Sequence, residues 1–484
     1  MEGNLLFVGG DLSGIQKFIY NITSKRAMVS LKGRSYYLKD FTEKVCDDIL
    51  DIPEIKNSTF SRDEMKINCS GGKFYLQVPD TENIRKAIAD IRNKAEKKLW
   101  EKHQGQLSIN IDYIPFVYDG NNVNVGDEID NIGLLWKKIN EKFSALKNQK
   151  FKSLLLDQYR DFFEVQKVGG DNVKVCQITG IEGAKEFLIP FKDENNEKVE
   201  VMTLFPSVKA QIDLGCKLRD QQYFKMLEDY AGDTYLGVLR MDVDGLGARF
   251  INGFQSMEKY KDFSEKLDKF FDAEKGNLHD IQEKHKDYLN IVYAGGDDIF
   301  VLGRWDKVID FAEDVQKAFK EYCKHELNDE TLSISGGIAI VNKKFPIAKA
   351  AEMAGDAEEA AKKYRKEKNA FNMFEESVAW TQEEFDYVKV NKDEMVKLCS
   401  EPTNMPRSIL HKLMVFNDMR KRGEIGYIWN TAYYLKRFSA GKNEEIKQFC
   451  GSIQNDLFNT KRCGDNYRLL ALAARWAELI LREI

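Results

Sequence analysis

The chain has 484 residues, too many for one ordinary core, and 43% of them are hydrophobic, so several packed domains are expected. Its 73 Lys and Arg residues against 78 Asp and Glu give a net charge of -5, which excludes a nucleic-acid binder held by bulk positive charge. There is no membrane-length apolar run, no signal-peptide pattern and no CxxC pair among the eight cysteines. We therefore expect a cytoplasmic protein without membrane contact or disulfide framework.

Residues 1–124 have the pattern of a first α+β domain. The stretch "LLFVGGDLSGIQKFIYNI" is an apolar strand that leads into an amphipathic helix, and "KINCSGGKFYLQV" has a hairpin pattern because glycine adopts positive φ at little cost. A charged helix and the strand "LSINIDYIPFVY" follow. The order β-α-β-β-α-β predicts a ferredoxin-like fold, with a four-stranded sheet and helices on one face. The turn positions of this copy are Asp11, Ser13, Gly14, Gly71 and Gly72.

Residues 125–230 are of mixed composition. They include the helical stretch "LLWKKINEKFSALKNQKFKSLLLDQYRDFFEV". We expect a small mixed domain here, between two larger ones.

Residues 231–375 repeat the first domain in the same order. The strand and helix start "YLGVLRMDVDGLGARFING" precede the hairpin "LNIVYAGGDDIFVL", a charged helix and the strand "LSISGGIAIV". Asp242, Asp244 and Gly245 match the first Asp-x-Ser-Gly, and Asp297-Asp298 follow the second Gly-Gly where the first copy has Lys73-Phe74. The duplication predicts an acidic module beside a degenerate twin.

The acidic residues of the second copy predict a metal site. Alternation along a strand places Asp242 and Asp244 on one side, and the tip of the neighbouring hairpin can lie beside them. Clustered carboxylates repel unless cations bind them, and oxygen ligands suit Mg²⁺ or Mn²⁺. Two such ions support nucleotidyl transfer to a substrate hydroxyl. The predicted metal-binding residues are Asp242, Val243, Asp244, Asp297 and Asp298, and the predicted catalytic residues are Asp242, Asp297 and Asp298.

Phosphate-binding positions are predicted beside the acidic residues. The turn at Gly245, Leu246 and Gly247 opens a helix, where backbone N–H groups can approach phosphates. The stretch "FPIAKAAEMAGDAEEAAKKYRKEKNAFNMF" has a helical pattern, on which Lys362 and Lys366 are spaced i, i+4 and can reach a triphosphate. Residues 376–484 have helical periodicity throughout and predict a helical bundle domain.

Three ordered motifs carry a family resemblance. The stretches "GDLSGIQKFIYNITSKRAMVSLKGRSYYL", "GVLRMDVDGLG" and "YAGGDDIFVLGRW" resemble the large, palm-containing polymerase/cyclase subunit of type III CRISPR effector complexes, the III-A form more than III-B. The resemblance implies two palm domains that bind two ATP molecules and join ATP into cyclic oligoadenylates when the complex captures target RNA. It implies other complex subunits, guide RNA and target RNA as partners.

The resemblance also assigns roles to single residues. Asp242 and Asp297 would be metal ligands, with Asp244 and Asp298 in support, and Lys362 would contact triphosphate. Gly295 and Gly296 would form the acidic hairpin's turn. The matching positions of the first palm would hold the second ATP; they are Asp11, Ser13, Gly14, Gly71 and Gly72.

Two departures from the family pattern change the expectations. Many members begin with an HD nuclease domain, whereas this sequence starts at the first palm, so we expect no DNase activity from it. Many also hold zinc with four cysteines between the palms. Here Thr179 follows Cys176 where a second cysteine would stand, and Cys216 lies beyond the next pair's place, so we expect no zinc.

Three other functions remain open from the sequence. The same metal site can transfer AMP to another acceptor such as S-adenosylmethionine, because the motifs do not define the acceptor. A non-catalytic scaffold that caps the guide-RNA filament is supported by the basic, aromatic stretch from Lys25 to Lys39. A stand-alone diguanylate cyclase is the weakest alternative, since its palm would be single.

Overall fold

The computed structural model describes most of the chain outside the middle segment. The described residues are 4–20, 27–103, 105–118, 122–157, 188–192, 198–202, 230–231, 235–254, 256–273, 275–441, 443–458 and 463–482. The positions on which the zinc expectation depends, Cys176, Thr179 and Cys216, lie outside this part.

The first palm has the predicted β-α-β-β-α-β order. Its strands are β1 (Asn4–Ser13), β2 (Lys66–Ser70), β3 (Lys73–Pro79), β4 (Ser108–Tyr118), β5 (Val123–Val125) and β6 (Glu128–Asp130). Its helices are α1 (Ile15–Tyr20), α2 (Ala27–Leu50), α3 (Pro53–Lys56), α4 (Arg62–Met65) and α5 (Glu82–His103). The sheet order is β2-β3-β1-β4-β5-β6, so the ferredoxin-like order is confirmed but the sheet has six strands instead of four.

Both faces of the first sheet are covered. Side chains alternate along β1, and nearly all of its residues are buried, which requires packing on each side. Leu5 and Phe7 belong to a core that also contains Trp136 and Ile139 of α6 (Gly133–Lys147). Because they share this core, α6 packs on the first palm. Helix α7 (Lys152–Asp157) follows α6 in the chain.

The second palm repeats this arrangement. Its strands are β9 (Tyr235–Val243), β10 (Leu289–Gly295), β11 (Asp298–Arg304), β12 (Ile334–Asn342), β13 (Ala370–Met373) and β14 (Glu376–Ala379). Its helices are α8 (Leu246–Asn252), α9 (Met257–Phe271), α10 (Asn277–His285), α11 (Trp305–Tyr322) and α12 (Ile347–Tyr364), with a π-helical turn at Cys323–Leu327. The order β10-β11-β9-β12-β13-β14 again adds two strands to the ferredoxin-like four.

The predicted helix through residue 374 is shorter than expected. Helix α12 ends at Tyr364, Lys368 and Asn369 have positive φ angles of 54° and 46°, and β13 then pairs in parallel with β12. The expectation that Lys362 and Lys366 lie one turn apart on the same helix is therefore wrong, because Lys366 lies beyond the end of α12.

The rest of the chain is mostly helical, as predicted. A π-helical turn at Gln382–Asp386 leads into α13 (Tyr387–Cys399), α14 (Ser408–Lys421), α15 (Tyr427–Ser439), α16 (Glu444–Phe458) and α17 (Cys463–Leu481). In the middle segment, β7 (Leu188–Lys192) and β8 (Lys198–Met202) form a two-stranded hairpin. Among the described helices, none has the length and hydropathy of a membrane span.

The chain divides into two compact units. One contains Met1–Ile334 and Val341–Ala354, and the other contains Ser335–Ile340 and Gly355–Ile484. The two hairpins that carry the Gly-Gly motifs both lie in the first unit.

Candidate active site

The two Gly-Gly hairpins meet at their tips. The backbone N–H of Gly296 donates a hydrogen bond to Ser70 Oγ at 3.1 Å. Gly71 has a φ of 61°, which glycine adopts at little cost, and a Cβ atom there would lie 3.4 Å from the carbonyl oxygen of Gly295, in ordinary contact with the other turn. The duplicated hairpins therefore build one site between the two palms.

The two turns are offset by one residue from the expected alignment. In the first palm Ser70 pairs with Lys73, so the loop is Gly71-Gly72. In the second palm Gly295 pairs with Asp298, so the loop is Gly296-Asp297. The expectation that Gly295 and Gly296 form the turn is wrong for Gly295, which is the last residue of β10. Pairing also makes Asp298, not Asp297, the counterpart of Lys73.

Three carboxylates converge at the second turn. Asp298 lies opposite Asp242 in the β11–β9 register, and the backbone N–H of Val243 donates to the carbonyl of Asp297 at 3.2 Å. One oxygen from each carboxylate of Asp242, Asp297 and Asp298 lies within 4.8 Å of the others. An all-oxygen donor set at this spacing fits a hard divalent cation.

Asp244 is held differently. Strand β9 ends at Val243, so the alternation that would align Asp244 with Asp242 stops before it reaches Asp244. Asp244 is buried, its backbone N–H donates to the carbonyl of Ser333 at 2.8 Å, and its Oδ2 accepts from Ser333 Oγ at 2.7 Å. It is outside the three-carboxylate group, and its role as a metal ligand stays a prediction.

A cavity of about 260 Å³ lies beside the carboxylates. Six of the predicted residues line it; they are Asp11, Gly71, Leu246, Gly296, Asp297 and Asp298. Nine further predicted residues are not among the lining residues; they are Ser13, Gly14, Gly72, Asp242, Val243, Asp244, Gly245, Gly247 and Gly295. Because both palms contribute walls, the cavity has the form of a composite pocket.

The two predicted lysines lie in the other compact unit. Lys362 Nζ donates to Glu358 Oε1 at 2.8 Å at the end of α12, and Lys366 is exposed in the following turn. Their contact with a triphosphate stays a prediction.

The first palm neutralises its acidic residue with a lysine. Asp11 is buried and forms an ion pair with Lys147 at the end of α6, with 2.8 Å between Nζ and Oδ2. Ser13 Oγ accepts a hydrogen bond from Asn110 at 3.1 Å, and Gly14 has a φ of 92° at the start of α1. This copy thus keeps the turn geometry of the second palm without its acidic cluster.

Several side chains of the cavity were missed by sequence reasoning. Tyr293 and Tyr75 line it, and burial first, then nearby aspartates, raises the pKa of each phenol. Asp268 of α9 also lines it, and burial together with repulsion from Asp297 raises its pKa to about 6 against the opposing effects of Ser70 and Lys39.

The signals for these residues were ambiguous. The two tyrosines stand in strands next to the turns, but propensity does not reveal which face they occupy. Asp268 lies inside an amphipathic helix, where an acidic residue ordinarily indicates a solvated face.

A hydrogen bond also joins the palms inside the cavity. Asn68 Nδ2 donates to Ser264 Oγ at 2.6 Å, so a first-palm strand and a second-palm helix are held together. Polar groups and aromatic rings beside three carboxylates form a lining in which a base can stack while its phosphates reach bound cations.

Two family models match the chain. Residues 4–167 match the model described as Csm1 subunit domain B, and residues 235–372 match Cas10/Cmr2, second palm domain. The two matches cover the two palms.

Curated relatives match over most of the chain. A CRISPR system single-strand-specific deoxyribonuclease Cas10/Csm1 (subtype III-A) from Enterococcus italicus is 27% identical over 92% of this chain and 63% of the relative. The protein of the same description from Streptococcus thermophilus is 23% identical over 93% of this chain and 64% of its own length. The chain therefore spans less than two thirds of the length of these relatives.

Solved structures share the fold. A Csm1-Csm4 cassette in complex with cA4 aligns with a TM-score of 0.68 and 19% identity, over 99% of this chain and 70% of that one. The cassette in complex with one ATP aligns with a TM-score of 0.65 and 19% identity, over 98% of this chain and 70% of that one.

Proposed function

Since the chain belongs to the Cas10/Csm1 family of type III-A CRISPR proteins, as its three motifs predict, we propose that it converts ATP into cyclic oligoadenylates. The observation that carries this proposal is the convergence of Asp242, Asp297 and Asp298 at a cavity built by two palms. A turn alone does not require these acids, since the first palm forms its own turn without them.

The three carboxylates would hold Mg²⁺ or Mn²⁺, two ions in the full reaction, with Val243 and Asp244 as further predicted ligands. Bound divalent ions would activate an attacking hydroxyl and stabilise the charge on a triphosphate leaving group. The oxygen-only donor set of Asp242, Asp297 and Asp298 suits such hard ions better than zinc, which favours nitrogen and sulfur ligands.

The protein's own residues would bind and orient the substrates. Both palms line the cavity, so it would place two nucleotides side by side, one against each hairpin. Buried Tyr75 and partly buried Tyr293 line this space and would limit the access of water to it. No side chain needs to act as nucleophile, because the attacking 3′-hydroxyl belongs to a nucleotide.

The same proposal covers the partners. Solved relatives form a Csm1-Csm4 cassette, and we expect a Csm4-type subunit, guide RNA and target RNA to associate with this chain as well. Target RNA would then switch on the synthesis.

The test is product formation by the assembled complex. With target RNA, Mg²⁺ and ATP, the wild type should produce cyclic oligoadenylates that mass spectrometry identifies. The double variant Asp297→Ala, Asp298→Ala should lose activity by at least about 100-fold, the scale of removing preorganised charged groups from an active site. Candidate acceptors such as S-adenosylmethionine, added in parallel, would reveal any other transfer product.

A matched control removes the same charge from the same palm. Glu321 and Glu326 are exposed on and just after α11 and are not among the residues that line the cavity, so Glu321→Ala, Glu326→Ala should leave synthesis unchanged. Equal product yields from the wild type and the aspartate double variant would refute the proposal.

A further inference from the structure

Lys73 occupies the place in the first palm that Asp298 occupies in the second. Lys73 lies opposite Asp11 in the β3–β1 register, and Asp298 lies opposite Asp242 in the β11–β9 register. Both positions follow directly on a two-residue turn and line the same cavity. One palm therefore presents a cation where its twin presents a carboxylate of the acidic cluster.

The charge of Lys73 is not matched by its cross-strand neighbour. Asp11, the acid opposite it, is buried and forms its ion pair with Lys147 at 2.8 Å. Lys73 itself is exposed and has no ion pair within 4.0 Å among the residues that the structure describes. Arg240, a second cation among the described lining residues, donates across the palms to Gln16 at 3.4 Å. Lys73 is thus a lining cation whose charge is available to an anion.

The two halves of the cavity consequently differ in what they require. Around Asp242, Asp297 and Asp298 the mutual repulsion of carboxylates would be relieved by divalent cations. Around Lys73 the local acid is already neutralised, and an ammonium group serves phosphates as a point charge. A triphosphate placed there meets a positive charge that the chain itself supplies.

We propose that Lys73 binds the phosphates of the nucleotide on the first palm, so that this nucleotide is held without a divalent cation. The inference rests on the proposed function, since it assumes that each palm receives an ATP molecule. It assigns the two sites different chemistry: metal-dependent binding at the second palm and lysine-dependent binding at the first.

The experiment measures ATP binding to the full chain by calorimetry, once in excess EDTA and once in Mg²⁺. The wild type should bind one ATP in EDTA and a second only in Mg²⁺. Lys73→Met should weaken the EDTA-resistant binding by about 10-fold or more, the effect of one charge-assisted hydrogen bond, and leave the Mg²⁺-dependent binding in place. Lys73→Arg should retain most of the EDTA-resistant binding.

Two controls separate the possible failures. Lys86→Met removes an exposed lysine of α5 and should change neither phase, and Asp297→Asn, Asp298→Asn should remove only the Mg²⁺-dependent phase. The inference is wrong if Lys73→Met binds ATP in EDTA with the same affinity as the wild type, or if the wild type binds no ATP in EDTA. The proposed function still stands in either case, provided that Mg²⁺-dependent binding is seen. Absence of ATP binding in both buffers would overturn both.

Discussion

His103 of α5 is a buried histidine whose protonation links pH to stability. It is 6% exposed, and its Nε2 lies 2.8 Å from the hydroxyl of Tyr37. Burial, and then repulsion from Lys102 and Arg34, lowers its pKa to about 4. An unfolded histidine has a pKa near 6.5, so the unfolded chain takes up the proton first as the pH falls.

The contribution of His103 should therefore lower the free energy of unfolding as the pH falls from about 6.5 to about 4. Above this range His103 is neutral in both states and contributes no pH dependence. Within it the free energy of unfolding should fall by up to about 1.4 kcal/mol per pH unit relative to a variant without the imidazole. Urea unfolding of wild type and His103→Gln at several pH values measures the difference.

His411→Gln provides the control for this measurement. His411 is exposed on α14, so its replacement should leave the pH slope as in the wild type. If the free energy of unfolding changes with pH to the same extent in the wild type and in His103→Gln, the expectation that the buried imidazole is neutral is contradicted.

At the same scale, the sequence predicted which acids converge but not how each one is held. Asp242 and Asp297-Asp298 come together because strand order and hairpin pairing follow from the apolar pattern. The prediction that Asp244 joins them assumed that strand β9 continues through residue 244, but the strand ends at Val243. The pairing of Asp11 with Lys147 joins positions far apart in sequence, and no local pattern reveals such an ion pair.

At the scale of elements, the two strand-to-helix turns differ in their need for glycine. Gly14 has a φ of 92°, and a Cβ there would lie 2.3 Å from the carbonyl oxygen of Gln106. Gly245 has a φ of 73°, but an added Cβ would meet nothing within 4 Å. The first turn therefore needs glycine for space and conformation, the second for conformation alone.

Alanine substitutions should separate these two requirements. Gly245→Ala should cost about 1 kcal/mol of unfolding free energy for the left-handed backbone. Gly14→Ala should cost roughly 3 kcal/mol or more, because a backbone carbonyl must also move. The midpoints of urea unfolding, at constant m-value, measure the loss of unfolding free energy in each variant. Equal losses would show that the crowding at Gly14 is relieved without cost.

Element types were predictable where periodicity was long, and element ends were not. Helices α5 and α11 and strands β4 and β12 match the predicted stretches, since their apolar positions repeat over many residues. Helix α12 stops at Tyr364 although lysines and glutamate continue beyond it, because β13 joins the sheet there. Tertiary pairing outweighed local helix propensity at that point.

At the scale of the whole molecule, both hairpins and the aromatic cluster between the palms belong to one compact unit. Trp136 of α6 packs on the first sheet, and its ring centroid lies 4.0 Å from that of Tyr260 in α9 of the second palm. Both rings are almost fully buried, and Phe250 packs against Tyr260 at 5.0 Å. The palms are therefore joined by a core, and we expect them to unfold together.

Tyr260→Ala tests this coupling. Removing a buried aromatic ring should cost about 3–5 kcal/mol, and because the core is shared, amide exchange should accelerate in β1 and β4 of the first palm as well as in α9. Hydrogen exchange with mass spectrometry measures each segment. Tyr433→Ala, which removes a ring that is 69% exposed, should leave exchange in the palms unchanged. Faster exchange confined to the second palm would mean that the palms fold independently, and the composite pocket would then depend on the polar contacts between the palms, such as Gly296 with Ser70 and Asn68 with Ser264.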